Sequence, residues 1–421
     1  MRRLFVSGVI ALAWMNVGCG REALTAPVTP EVKHELPQAA RTSFEDGLRK
    51  MADHDRARDW NEAACKETMD LLMAAAQVKP AAMYDAALVK QRCGKDEEAK
   101  VLLRRAVEQD PSFHAARAAL ALREAAEPGQ LDHAIAELRR AVIDGRFTSV
   151  DVQVALAVLL MKRDDGKPDE DGADDLDRAK KNLHRALAID DGHMPALNQL
   201  AILHLTRAKR DPGRTGPSRK AAVSGLELAA LVCSQAMRKN PRYAPIHNTA
   251  GLVDVELGNL SRAAAAFDEA RRLDPRFVEA HLNYAAVNLG FRGFAQAEGA
   301  YRQVLAIRPD DYDARLGLAL AIRGQLEGPH QTARIEEARK EIAEAKRLAP
   351  TRPEAYFNEA ILTQAYADPA NASYQRAREL YKQFIDKAGD APAYAEAKRQ
   401  AQERISEITQ AMDFLTAPKA Q

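Results

Sequence analysis

Residues 244–275 read APIHNTAGLVDVELGNLSRAAAAFDEARRLDP, and residues 278–309 read VEAHLNYAAVNLGFRGFAQAEGAYRQVLAIRP. Laid one over the other they keep a spacing of 34 residues, with Pro241, Pro275 and Pro309 on one mark. Ala229, Ala263 and Ala297 share a second mark, Cys233, Phe267 and Tyr301 a third, and Ala236, Ala270 and Val304 a fourth. Within one segment Ala263, Phe267, Ala270 and Leu273 recur at helical spacing, which predicts an amphipathic helix. Gly251 and Ala263 are small where two helices of a hairpin must cross closely. Gly258 and Asn259 suit a turn that needs φ > 0. Asp274 precedes Pro275 and so leaves the helical region, which ends the hairpin.

A period of this length, with small residues at two marks and a closing proline, resembles the tetratricopeptide repeat. The resemblance extends over nearly all of the chain after residue 40. Further copies are centred on Phe44 to Ala75, where the register is poor, on Ala87 to Pro111, where it is clean, and on Ala134 to Ala141, Ala179 to Ile189, Met194–Lys209 with Leu226–Lys239, Leu318 to Pro350 and Tyr356 to Phe384. The fold class it implies is all-α: a right-handed superhelical solenoid of about nine such hairpins, closed by a C-terminal helix from Pro392 to about Leu415. The expected organisation is a signal segment at 1–18, a tether at 19–40, repeats at 41–390, and a capping helix and tail at 391–421.

Composition agrees with stacked thin hairpins. Of 421 residues 46% are apolar but only 5% aromatic, so alanine fills the helix crossings. Basic residues number 61 and acidic residues 60, a balance that gives no reason to expect nucleic acid.

The N-terminus reads as an export signal. Met1-Arg2-Arg3 is basic, and the apolar run from Leu4 to Val17 is too short to span a bilayer. Val17-Gly18-Cys19 resembles the lipobox of bacterial lipoproteins, with Asn16 where leucine is usual. That resemblance implies a lipid on the Cys19 thiol and cleavage before it. An ordinary signal peptide is the other reading. Gly20 and Arg21 follow, and no aspartate stands there to retain such a protein at the inner membrane, so the implied address is the outer membrane, facing the periplasm. Pro27, Pro30 and Pro37 mark the tether.

Cys65, Cys93 and Cys233 remain. An exported chain lives where disulfides persist. Cys65 near the start of one helix and Cys93 at the end of the next hairpin's first helix could pair. Buried thiols are the alternative, and Cys233 takes a core position.

Extra residues interrupt the period at Asp164–Asp175, Arg210–Lys220 and Gly324–Thr332, all between the helices of one hairpin. The first is acidic, with Asp169, Asp171 and Asp174; the second is basic, with Arg210, Arg214 and Arg219. They are expected to share one edge, as a partner site or as two solvated loops that screen each other. In repeats of this kind the first helices line a groove. Here that implies Asn198, Asn248, Leu252, Val255, Glu256, Glu279, Leu282, Ala286 and Leu289, a mixed surface suited to a peptide or helix.

Signs of chemistry are lacking. Gly213-Arg214-Thr215-Gly216 has neither the spacing nor the lysine of a phosphate loop, and His247 and His281 share a position that packs. Gly172 set at position six of an EF-hand would put Arg178 at position twelve, so calcium is not expected. No metal, cofactor or small-molecule substrate is implied. The whole plan looks like tetratricopeptide-repeat lipoproteins, including that of the myxobacterial gliding-motility complex. The likeness implies a non-enzymatic envelope scaffold binding proteins or peptides. An accessory lipoprotein of outer-membrane assembly or secretion is the alternative, and a repeat-bearing enzyme the less favoured one.

Overall fold

The computed structural model describes residues 37–57, 59–210, 219–366 and 371–416. Cys19, Arg214, and the signal and tether up to residue 36 lie outside the described residues, as do the side chains of 219–222.

The described residues are all-α, as expected: nineteen α-helices in chain order. Nine antiparallel-neighbour hairpins are formed by α1 Gln38–Ala57 with α2 Glu62–Ala76, α3 Pro80–Arg92 with α4 Asp96–Gln109, and α5 His114–Glu124 with α6 Leu131–Asp144. They continue with α7 Val150–Arg163 and α8 Asp175–Ile189, α9 Met194–Arg210 and α10 Arg219–Lys239, then α11 Ala244–Glu256 and α12 Leu260–Leu273. The last three are α13 Val278–Gly290 with α14 Phe294–Ile307, α15 Tyr312–Arg323 with α16 Thr332–Leu348, and α17 Glu354–Tyr366 with α18 Asn371–Ala388. A 3₁₀ turn at Pro392–Tyr394 leads into α19 Ala395–Thr416. The chain divides between Lys239 and Asn240 into two compact units. Within each unit every hairpin packs on the next.

Two boundaries differ from expectation. Helix α1 begins at Gln38, three residues inside the segment read as tether. Helix α10 begins at Arg219, so Arg219 and Lys220 belong to a helix and not to the basic loop. Gly225 lies where α10 crosses α9: a Cβ there would stand 3.1 Å from Ala208 Cβ.

The periodic marks are the core. Ala229, Ala263 and Ala297 are fully buried, as are Ala236, Ala270 and Val304, and Cys233, Phe267 and Tyr301 are within 2% of it. Gly251 shows why the crossing excludes a side chain: a Cβ there would come within 2.5 Å of the Phe267 ring. We expect Gly251→Ala to destabilise the second unit by about 1–2 kcal/mol, overpacking exceeding the gain in helix propensity. Adding Phe267→Leu should recover part of the loss. Urea unfolding of the four proteins of that cycle checks it, and additive losses would contradict the contact.

Helix ends repeat with the same chemistry. Asp110, Asp190 and Asp274 are all extended (φ −139°, −137° and −133°), and each carboxylate accepts the amide two residues on. First helices close in left-handed turns at Gly94 (φ +71°) and Gly258 (φ +79°). In the next hairpin the same place is held by Arg292, also left-handed (φ +63°), where Gly293 N donates to Asn288 O at 2.8 Å. An L-residue there is strained by about 1–2 kcal/mol. Arg292→Gly is therefore expected to raise the urea midpoint of the second unit, by about 1 kcal/mol of stability.

A further repeated device lies near the fourth residue of the first helices. His247 Nε2 bonds Pro241 O (2.8 Å), His281 Nε2 bonds Pro275 O (3.0 Å), Arg315 donates to Pro309 O (2.8 and 3.1 Å), and Tyr356 Oη donates to Pro350 O (3.0 Å). Gln153 Nε2 donates to Phe147 O (2.7 Å) in the same register. Each reaches back six residues to a carbonyl that the turn leaves without a helical partner. His247 and His281 thus hold the turn as well as packing.

Candidate partner-binding surface

The nine groove residues divide into two groups. Asn198, Asn248, Leu252, Glu279 and Leu282 are buried, all at or below 7% exposure. Asn283 Nδ2 donates to Asn248 Oδ1 (2.9 Å), tying α13 to α11. Glu279 accepts from Arg308 Nη2 at 3.0 Å. Val255, Glu256, Ala286 and Leu289 are half-exposed. The surface open to a partner on these helices is therefore their C-terminal half, because the N-terminal half is taken up by contacts within the array.

The acidic insertion is not a loose loop. Asp164 ends α7 in a left-handed turn (φ +60°), and Asp169 and Gly172 pair backbone to backbone in a tight turn. Asp169 Oδ1 also accepts the amides of Asp171 (2.9 Å) and Gly172 (3.1 Å). Asp174 caps α8, accepting from Asp177 N at 2.6 Å. At the centre lies Asp175, with a side chain at 0% exposure. It takes Arg163 Nη2 and Nε (2.7 and 2.8 Å), Arg178 Nη2 and Nε (2.8 and 3.1 Å), and the Asp165 amide (2.8 Å). Arg178 is itself buried and donates further to the carbonyls of Lys167 (3.1 Å) and Gly172 (3.2 Å), while meeting Asp169 at 2.8 Å. Burial pushes the Asp175 carboxyl up, but the bonds from Arg163, the Asp165 amide and Arg178 more than reverse this and hold it at about 2.

Among the described residues Arg210 pairs with Asp164, and beside the insertions Arg207 Nη2 of α9 stands 2.9 Å from Asp177 Oδ1 of α8. The Arg207 bond holds the Asp177 carboxyl below its ordinary range. Glu170 and Asp171 are exposed at the loop tip. Sequence reading did not identify Arg163 and Arg178 as partners of the Asp175 carboxylate. Only the i,i+3 spacing of Asp175 and Arg178 could have pointed to them.

In the first unit Cys65 and Cys93 form a disulfide, Cα to Cα 6.2 Å, joining the first two hairpins. Cys233 is buried in α10 at 1% exposure.

No protein-family model and no curated protein matches the chain. Among solved structures it is similar to a thermophilic TPR protein of Thermus thermophilus, 24% identical, the alignment covering 50% of this chain and 99% of that one with a TM-score of 0.42. It is also similar to Pseudomonas aeruginosa pilF, 18% identical over 61% of this chain and 99% of that one, TM-score 0.45. YrrB, described as a TPR protein with an unusual peptide-binding site, is 16% identical over 52% and 97%, TM-score 0.36. At these identities the likeness is one of fold. By its own 34-residue spacing and the nine hairpins of its described residues, the chain has an all-α fold of stacked helix hairpins like those of tetratricopeptide repeats.

Proposed function

We propose that this chain is a non-enzymatic adaptor that binds other proteins through the first-helix face, and that it works in the cell envelope. The observation that carries the binding role is the mixed strip of Val255, Glu256, Ala286 and Leu289, which neighbouring hairpins leave half-exposed while burying the rest of the same helices. A strip of this kind suits an amphipathic helix or extended segment. Export is supported by the Cys65–Cys93 disulfide, since such bonds persist in oxidising compartments. The finer reading is a lipid on Cys19 that attaches the chain to the outer membrane from the periplasmic side, as part of a gliding-motility complex. Several acyl chains at ~0.8 kcal/mol per buried CH₂ would hold it there. No described helix is long and apolar enough to cross a membrane.

Metabolic labelling with palmitate separates the parts. The wild type is expected to take label and to sediment with outer membranes, and Cys19→Ser to lose both. Label on the Cys19→Ser protein, or a chain with reduced Cys65 and Cys93 in the cytosol, would overturn the address. A photocrosslinker placed at Leu289 is expected to capture motility proteins. Capture of barrel-assembly or secretion components in their place would overturn the motility assignment.

A further inference from the structure

Arginines of the second unit mostly meet carboxylates. Arg308 pairs with Glu279 at 3.0 Å, Arg315 with Glu341 at 2.7 Å, Arg334 with Glu298 at 2.7 Å and Arg352 with Asp313 at 2.9 Å. Arg323 does not. It is the last residue of α15, half-buried, at the root of the Gly324–Gln331 insertion. Its Nη1 donates to Asn358 Oδ1 at 3.1 Å, and among the described residues no carboxylate lies within ion-pair reach of it.

The arrangement is built rather than incidental. Asn358 is 1% exposed, and its Nδ2 donates to Glu354 O of its own helix at 2.8 Å, which fixes its carbonyl toward Arg323. The guanidinium is thereby fixed at one of its donors, while the arginine as a whole stays only half-buried. Burial pushes that guanidinium below its ordinary range, and the groups opposing the effect are the phenols of Tyr366 and Tyr381 rather than an anion. Three residues along α17 from Asn358, Ile361 is half-exposed and offers apolar surface beside the charge.

A guanidinium that meets no carboxylate among the described residues fits a planar carboxylate from outside, which it can grip through two parallel N–H bonds. We propose that Arg323 is a docking point for an aspartate or glutamate side chain within a polypeptide segment that lies across α15 and α17, with Ile361 taking an apolar neighbour of that residue. The inference rests on the reading that the first-helix face binds partner segments. It specifies an internal acidic side chain, not a chain terminus.

The test uses random dodecapeptides displayed with both ends fused to a carrier, selected on the full chain in detergent and on its Arg323→Gln and Arg323→Lys variants. The wild type is expected to enrich peptides with one acidic residue at a set distance from an apolar one. Changing that acid to its amide should weaken binding to the wild type by about 10- to 100-fold, the range of a charged hydrogen-bonded pair, and leave binding to Arg323→Gln unchanged. Arg323→Lys, which keeps charge without the fork, should fall between. If wild type and Arg323→Gln enrich the same peptides, or feel the amide change equally, the proposal is overturned and the binding-face reading stands. If no peptide is enriched on any of the three, with unfolding midpoints unchanged, both are overturned.

Discussion

Replacing Asp175 by asparagine is expected to destabilise the first unit by about 3–5 kcal/mol, the range for removing one partner of a buried ion cluster. The substitution keeps the volume but leaves Arg178, with a side chain 4% exposed, without its main counter-charge. The loop that carries Lys167, Asp169 and Gly172 is fastened to that same arginine, so it should loosen together with the start of α8. Amide hydrogen exchange across α7 and α8 reads the effect locally. Asp171→Asn, at the exposed tip, is the control and should change stability by less than about 0.5 kcal/mol. A loss at Asp175 no larger than the control's would refute the account of the loop. Acid should act through the same group. Its folded value of about 2 lies below the ordinary 3.8, so the stabilisation is complete above the ordinary value and is lost as pH falls from there toward 2. The Asp175→Asn protein should lack that component of acid unfolding.

The second large effect is expected from the disulfide. Cys65 and Cys93 are separated by 28 residues, and closing a loop of that length stabilises by about 3.5 kcal/mol in the chain-entropy account. Without it the first hairpin is held by the Phe44 and Leu72 core and by one polar knot: Asp55 accepting Arg92 Nε and Nη2 (2.6 and 2.7 Å) and Trp60 Nε1 (2.8 Å). We expect Cys65→Ser with Cys93→Ser to raise hydrogen exchange in α1 and α2 strongly, in α3 less, and not at all in α11–α19. Reductant should do the same to the wild type and nothing to the variant. Exchange in α1 that ignores both treatments would show that the packing alone suffices.

The hairpins were legible because their constraints are steric and local. A close crossing accepts only glycine or alanine, as at Gly251 and Ala263, and a helix ends before proline, as at Asp274. Such demands leave identical letters at fixed spacing. The surface was less legible. Glu279 and Leu282 stand at groove positions by spacing, yet neighbouring hairpins bury them, and Arg308 reaches back from the end of α14 to Glu279. The acidic insertion looked solvated because seven carboxylates in twelve residues usually are. Its arginine partners came from outside the run: Arg163 precedes it and Arg178 follows, and they meet on Asp175 only after the chain turns through Asp169 and Gly172. Arg323 left no mark in the sequence, since what sets it apart is its bond to the buried Asn358, made only where α15 and α17 meet in space.

The donor column near the start of the first helices has a wider implication. Imidazole, guanidinium, phenol and carboxamide all reach the same turn carbonyl there. Selection at that column would act on the capacity to donate a proton at a given reach, not on identity, so substitutions among these four could accumulate freely. Methods that score amino-acid likeness would average such a column to noise. A search that instead asked for any long donor six places after a turn would find it, and could recover distant hairpins that ordinary alignment passes over.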